Sequence, residues 1–324
     1  MLKKLFNSLL SLAFLAIVVG VIFFVAMQKK YTHIYHLSSS QEVMIERGVG
    51  GNRVAQLLAE RGIIDSPLWF RLFTWRYHMQ DSLKAGEYSF GGSLSYQQVF
   101  EKLISGDVII RSLTIPEGKA LAEIRQIVAD NPYLSGDITL ALKEGEVLPE
   151  TYHFTRGESR NSILEKARQA MKKTLAEVYG ARQNNLPLKS ADELLILASI
   201  VEKETGVAAE RAKVASVFIN RLNLGMKLQT DPTVIYAVTQ GKMNLNRPIY
   251  KRDLAYDSPY NTYVYSGLPP APICSPGKAA ILAAAHPEKT PYLYFVADGV
   301  TGGHRFAKTL KEHNANVAHY RKGK

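Results

Sequence analysis

Residues 194–205 read LLILASIVEKET, and Glu202 is the first ionisable side chain after the apolar run, on a helix otherwise apolar almost all the way round. On a helix turning ~100° per residue, Leu194, Leu197, Ala198, Val201 and Thr205 share one side. Glu202 falls between the azimuths of Leu195 and Ala198, within the apolar arc. Asp192, Ser199 and Lys203 share another side, which is expected to face water, and Glu204 points near Glu193 and Leu197. Ser190 and Glu193 make an S-x-x-E capping box ahead of the run. A carboxyl group in apolar surroundings resists ionisation, so its pKa rises and it can stay protonated near neutrality. Such a group suits a general acid. The alternatives are an ion pair with a buried Arg or Lys, or a helix end that reaches solvent.

The chain that follows must position this acid. AAERAKVASVFINRL (208–222) reads as a second helix, and Asp231-Pro232 in KLQTDPTVIYAV opens a further helical turn. Residues 244–277 then show little periodicity but hold Tyr250, Tyr256, Tyr260, Tyr263 and Tyr265, with Asn261 and Thr262 among them. Long irregular stretches in compact domains are usually functional or disordered. Tyrosine faces with amide and hydroxyl groups suit a sugar; a rigid, Pro-pinned surface loop with packed tyrosines fits equally well. Gln229, Asp231, Asn261, Tyr263 and Tyr265 are the candidate substrate contacts. PYLYFVADG (291–299) has a buried-strand pattern, with His304 and Phe306 in the GGHRF turn after it, and the last helix is expected near Lys308–Tyr320.

Motifs of serine, cysteine and zinc hydrolases are missing: no H-E-x-x-H, G-x-S-x-G, S-x-x-K set or C-x-x-C occurs. A peptidase is disfavoured on that ground. No cofactor and no metal are expected. The H-x-x-H pair His33 and His36 reads as solvated histidines, and the single Cys274 as a small buried hydrophobe.

Upstream, Leu5–Met27 carries no charge, and at ~1.5 Å per residue it spans a ~30 Å hydrocarbon core. It is longer than a cleavable signal's apolar region and lacks an A-x-A site, so it reads as an uncleaved anchor. The short Lys3–Lys4 end is expected inside the cell and the rest outside it. The chain of 324 residues has 40 Lys+Arg against 29 Asp+Glu, a net +11. That balance suits an anionic partner, and translocation disfavours nucleic acid.

The expected organisation is a tail and anchor over 1–30 (helix 5–27), a linker over 31–41 and a module of strand-turn-helix units over 42–117. A connecting α+β region over 118–184 and a last domain over 185–324 follow. PLWFRLFTWRYHM (67–79) reads as an aromatic-rich core helix within the module, and 161–179 as an amphipathic helix. The Gly-rich turns contain no phosphate-binding loop. The fold class is α+β, with a transmembrane helix before the module and a Glu-bearing helix in the last domain.

At VEKET, LQTDPTVIY, YNTY, GLPP, SPG, AAHP and YFVADG, and at Glu144–Tyr152 (EGEVLPETY), the chain closely resembles the endolytic murein transglycosylase family (MltG, also called YceG-like). The resemblance implies that 42–117 is LysM-like and that 185–324 is catalytic. It implies lytic cleavage of peptidoglycan between N-acetylmuramic acid and N-acetylglucosamine, leaving a 1,6-anhydro end, with the first Glu of V-E-K-E-T, here Glu202, as catalytic acid. It also implies a bacterial inner-membrane location, work beside penicillin-binding proteins, and the ending of nascent strands. A lysozyme-like hydrolase using Glu204, Asp231 or Asp257 as a second carboxylate, or a wall-binding scaffold, remain the alternatives.

Overall fold

A computed structural model describes residues 2–242 and 245–322. Residue 1 of the expected tail, residue 244 of the expected irregular stretch and residues 323–324 of the expected last domain lie outside the described residues. The architecture is mixed α+β, in two compact units that divide between Arg111 and Ser112. The connecting region and the last domain expected from the sequence both fall within the second unit.

The first unit begins with α1 (Leu2–Thr32), a helix long and apolar enough to cross a membrane. It outruns the expected 5–27 because Gln28–Thr32 continue it into the module. Met27 is buried there, and the Tyr31 ring packs 5.0 Å from Phe73 and 4.7 Å from Tyr77. The expected linker is therefore partly built into the unit. β1 (Tyr35–His36) follows α1, and then come β2 (Gln41–Ile45), α2 (Gly51–Glu60), α3 (Pro67–Arg76), β3 (Gly86–Phe90), β4 (Ser93–Leu94) and α4 (Tyr96–Ser105).

β2 and β3 are antiparallel, Gln41 opposite Phe90 and Ile45 opposite Gly86; β1 pairs with β4, where His36 Nδ1 and Ser93 Oγ are hydrogen-bonded at 2.7 Å. Their alternation turns Val43, Ile45, Tyr88 and Phe90 inward onto Phe70, Phe73, Phe100 and Leu103. Each such side chain contributes ~1.5–3 kcal/mol by leaving water. α4 starts on a complete capping box, Ser95 with Gln98.

The second unit holds the last three residues of β5 (Ile110–Thr114), then α5 (Leu121–Ala129), β6 (Thr151–Thr155), α6 (Arg160–Gly180), α7 (Ala191–Glu204) and α8 (Arg211–Asn223). After these come α9 (Asp231–Thr239), the single turn α10 (Lys251–Leu254), α11 (Lys278–Ala285), the hairpin β7 (Tyr294–Ala297) and β8 (His304–Ala307), and α12 (Leu310–Lys322).

α7 is the centre of this unit. Every residue from Leu194 to Val201 is buried, against α6, α8 and α11. Ser199, expected on the wet side, is fully buried. The loop before α11 covers it: its hydroxyl donates to Ile196 O at 2.7 Å and accepts the Ile273 N–H at 3.1 Å. The N-terminal cap holds in part. Ser190 Oγ accepts the Glu193 N–H at 3.1 Å, but the Glu193 carboxylate turns to the Lys189 N–H rather than back to Ser190.

α11 has no counterpart among the expected helices. β7 is only half-buried and, among the described residues, pairs with β8 alone, so the aromatic run there makes an edge hairpin rather than a buried strand.

Candidate functional site

Glu202 lies in the last turn of α7 with 7% of its side chain exposed. Two loops meet at its carboxylate. The loop 275–277 supplies the Gly277 N–H, which donates to Glu202 Oε2 at 2.9 Å just where α11 begins. The turn 115–118 lies beside it, tied to the first loop by Gly118 N–H to Ser275 O at 3.0 Å and Ser275 N–H to Lys119 O at 2.9 Å. Gly118 has φ +72°, a conformation that costs a residue with a Cβ. A Cβ there would also sit 3.6 Å from Glu202 Cγ.

This second loop brings Glu117 to the site. Arg211, at the first position of α8, places Nη2 3.8 Å from Glu117 Oε2 and 3.9 Å from Glu202 Oε1. Both separations are longer than a hydrogen bond. Arg211 Nε is buried and has no hydrogen-bond partner among the described residues. Glu202 is thus near a guanidinium without being locked to it. Burial pushes its pKa above the ordinary carboxylate value; the Gly277 N–H opposes this, the Glu117 charge adds to it, and Arg211 and Lys203 oppose it. A protonated carboxyl group with stabilisers ready for its anion can give a proton and take one back.

Glu204, two residues on and therefore ~200° round the helix, belongs to another group. Thr230 Oγ1 donates to it, and burial pushes its pKa up to about 7, with Asp231 adding to the rise and His304 and Arg221 opposing it. Gln229, Asp231, Tyr263 and Arg221 line a cavity of about 370 Å³ with Glu204. The Tyr263 hydroxyl donates to Asp231 Oδ1 at 2.6 Å.

Asn261 is fully buried: its Nδ2 donates to Leu254 O at 3.1 Å and Tyr256 O at 2.8 Å, and its Oδ1 accepts the Tyr263 N–H at 3.0 Å. Its amide pins the irregular loop. Tyr265 is exposed and donates to Asp257 Oδ1 at 2.7 Å. The structure therefore gathers Gln229, Asp231 and Tyr263 around Glu204, holds Asn261 inside the loop and leaves Tyr265 on the surface. The carboxylate it brings to Glu202 is Glu117, which sequence reasoning missed. The I-P-E-G turn marks a tight bend there but not its neighbours.

Comparison with known proteins decides the family. A profile described as the YceG-like family matches residues 43–319. The chain belongs to the YceG-like family. A Bacillus subtilis (strain 168) protein named endolytic murein transglycosylase is 34% identical over 303 residues, covering 84% of this YceG-like chain and 82% of that protein. A Streptococcus pneumoniae (strain D39) protein of the same name is 30% identical; the match covers 86% of this chain, which spans only 58% of that protein. Among solved structures, a YceG-like protein of Listeria monocytogenes is similar at TM-score 0.52 and 30% identity, covering 86% of this chain and 99% of that one.

Proposed function

We propose that this YceG-like protein is a lytic murein transglycosylase that cuts peptidoglycan glycan strands internally. The observation that carries the reading is Glu202: a nearly buried carboxyl group held toward its protonated form, facing one N–H donor and one loosely placed guanidinium. Family membership and the names of its relatives supply the substrate class.

In this reading the protonated Glu202 donates to the glycosidic oxygen between N-acetylmuramic acid and N-acetylglucosamine. The bond breaks through an oxocarbenium-like state. The new Glu202 carboxylate is stabilised by the Gly277 N–H and by Arg211. It then removes the proton from the C6 hydroxyl of the muramic sugar as that oxygen closes on C1, leaving a 1,6-anhydro end and a reprotonated acid. The high effective molarity of an intramolecular hydroxyl replaces an activated water.

Gln229, Asp231, Tyr263 and Tyr265 are proposed sugar contacts; the inward-turned Asn261 shapes the loop that presents the tyrosines. The β2-α2-α3-β3 order supports a LysM-like, wall-binding reading of the module. α1 is proposed as a single-pass anchor in the bacterial inner membrane with the body outside, where a cut beside penicillin-binding proteins ends nascent strands.

A lysozyme-like hydrolysis is kept open by one observation, the nearness of Glu117. Mass spectrometry of glycan ends after digestion of purified peptidoglycan by the full-length chain in detergent separates the two. Ends one water lighter than reducing muramic acid, lost in Glu202→Gln, are the expected result. Ordinary reducing ends mean hydrolysis, and unchanged strands that remain bound mean a scaffold.

A further inference from the structure

The outer face of α3 has no part in the function above. Its inner side, Phe70, Phe73 and Thr74, is buried in the module. The opposite side of a surface helix is normally polar. At ~100° per residue, the opposite side of α3 carries Leu68, Leu72 and Trp75, with Leu68 55% and Trp75 69% exposed. Arg71 and Arg76 flank this stripe and are exposed.

The setting of α3 on α1 says what the stripe faces. Trp69 stacks on Phe23 with ring centroids 6.2 Å apart, and the Arg76 guanidinium lies 5.8 Å from the Phe24 ring. Trp69 and Arg76 are ~10 Å apart along α3, yet they meet adjacent residues of α1. α3 therefore crosses α1 rather than running beside it. Phe73, on the inner side, meets Tyr31, ~12 Å farther along α1. The inner side thus looks away from the apolar run and the stripe looks along it. That run, 5–27, is ~34 Å long against a ~30 Å hydrocarbon core, which puts Phe23 and Phe24 at its outer edge.

We propose that α3 lies in the interfacial layer of the bilayer, parallel to its surface, with Leu68, Leu72 and Trp75 in contact with lipid. Arg71, Arg76 and the exposed Lys29 sit at the level of anionic headgroups. Tryptophan is enriched at this depth because one edge of the ring is apolar and the other can hydrogen-bond. The partner is the membrane surface itself, and the proposal rests on reading α1 as a membrane span.

Trp69 and Trp75 are the only tryptophans of the chain, so the test is direct. The full-length Trp69→Phe protein is placed in phosphatidylcholine–phosphatidylglycerol vesicles, leaving Trp75 as the sole emitter. Expected are a blue-shifted emission and quenching several-fold stronger by lipids brominated near the top of the acyl chain than by aqueous iodide. Free access of iodide with no lipid quenching overturns the proposal.

A nitroxide on Leu68→Cys gives an independent reading, since the native Cys274 is buried. Oxygen is expected to relax it more than a water-soluble nickel chelate does, and the reverse order overturns the proposal. Flotation of the vesicles separates the two levels: a chain that does not float refutes the span and α3 together, whereas one that floats with Trp75 open to iodide refutes α3 alone.

Discussion

Replacing Glu117 by Gln tests whether the neighbour missed in the sequence tunes the acid. Arg211 Nη2 stands 3.8 Å from Glu117 Oε2 and 3.9 Å from Glu202 Oε1, so the two oxygens are within about 8 Å of each other. Two negative charges at about 8 Å with an effective dielectric of ~20 repel by ~2 kcal/mol. Glu117 has 45% of its side chain exposed and a guanidinium between it and Glu202, so roughly half of that survives screening. About 1 kcal/mol is a little under one pKa unit.

Glu117→Gln keeps the shape and removes the charge, so the Glu202 pKa falls. In the proposed mechanism the first step needs Glu202 protonated. The alkaline limb of the kcat/KM profile on glycan strands should therefore move to lower pH by about half to one unit. Arg211→Gln removes a cation from the same carboxylate and should move that limb to higher pH. Limbs that stay in place, or that move in the same direction in both variants, would refute the electrostatic account of the site.

Three further outcomes follow from the packing. Gly277→Ala places a Cβ 1.8 Å from Glu117 Oε1, so Glu117 must leave and the alkaline limb should shift in the Glu117→Gln direction, as a pH–rate profile would show. Ile281→Ala, at a fully buried α11 position, should cost about 2–5 kcal/mol in chemical denaturation. Glu204 has its folded pKa raised to about 7, above an unfolded value of ~4.3, so its contribution is complete below ~4.3 and is lost as pH rises through about 7. Glu204→Gln should flatten the fall in Tm between pH 5 and 8, and an unchanged slope contradicts the assignment.

α7 and the sheltered position of Glu202 were legible in the sequence because a long apolar run fixes the azimuth of the carboxylate beside it, and a cap fixes the start of the helix. The unit around them was not. α11 is an alanine run apolar on all sides, so it has no amphipathic contrast to detect, although it packs against α7 and α8. Ser199 was placed in water because its cover, the loop holding Ile273, is distant in the chain. Glu117 reaches Glu202 through hydrogen bonds between two backbone loops, which side-chain patterns do not encode. The tyrosine loop read equally well as sugar contacts or as a rigid packed loop, and Asn261 turns inward because the irregular backbone needs its own carbonyl and N–H partners.

The junction at the end of α1 has a mechanical consequence. The helix runs unbroken from its apolar stretch into the module core, where Met27 is buried and Tyr31 is packed, so the two cannot turn independently. In a bilayer, an apolar run longer than the lipid core is wide adjusts by tilting, and with α1 read as a span that tilt would pass to the module. With α1 as the proposed anchor, bilayer thickness becomes an input to this protein: a thinner membrane would lean the module over and a thicker one would stand it upright.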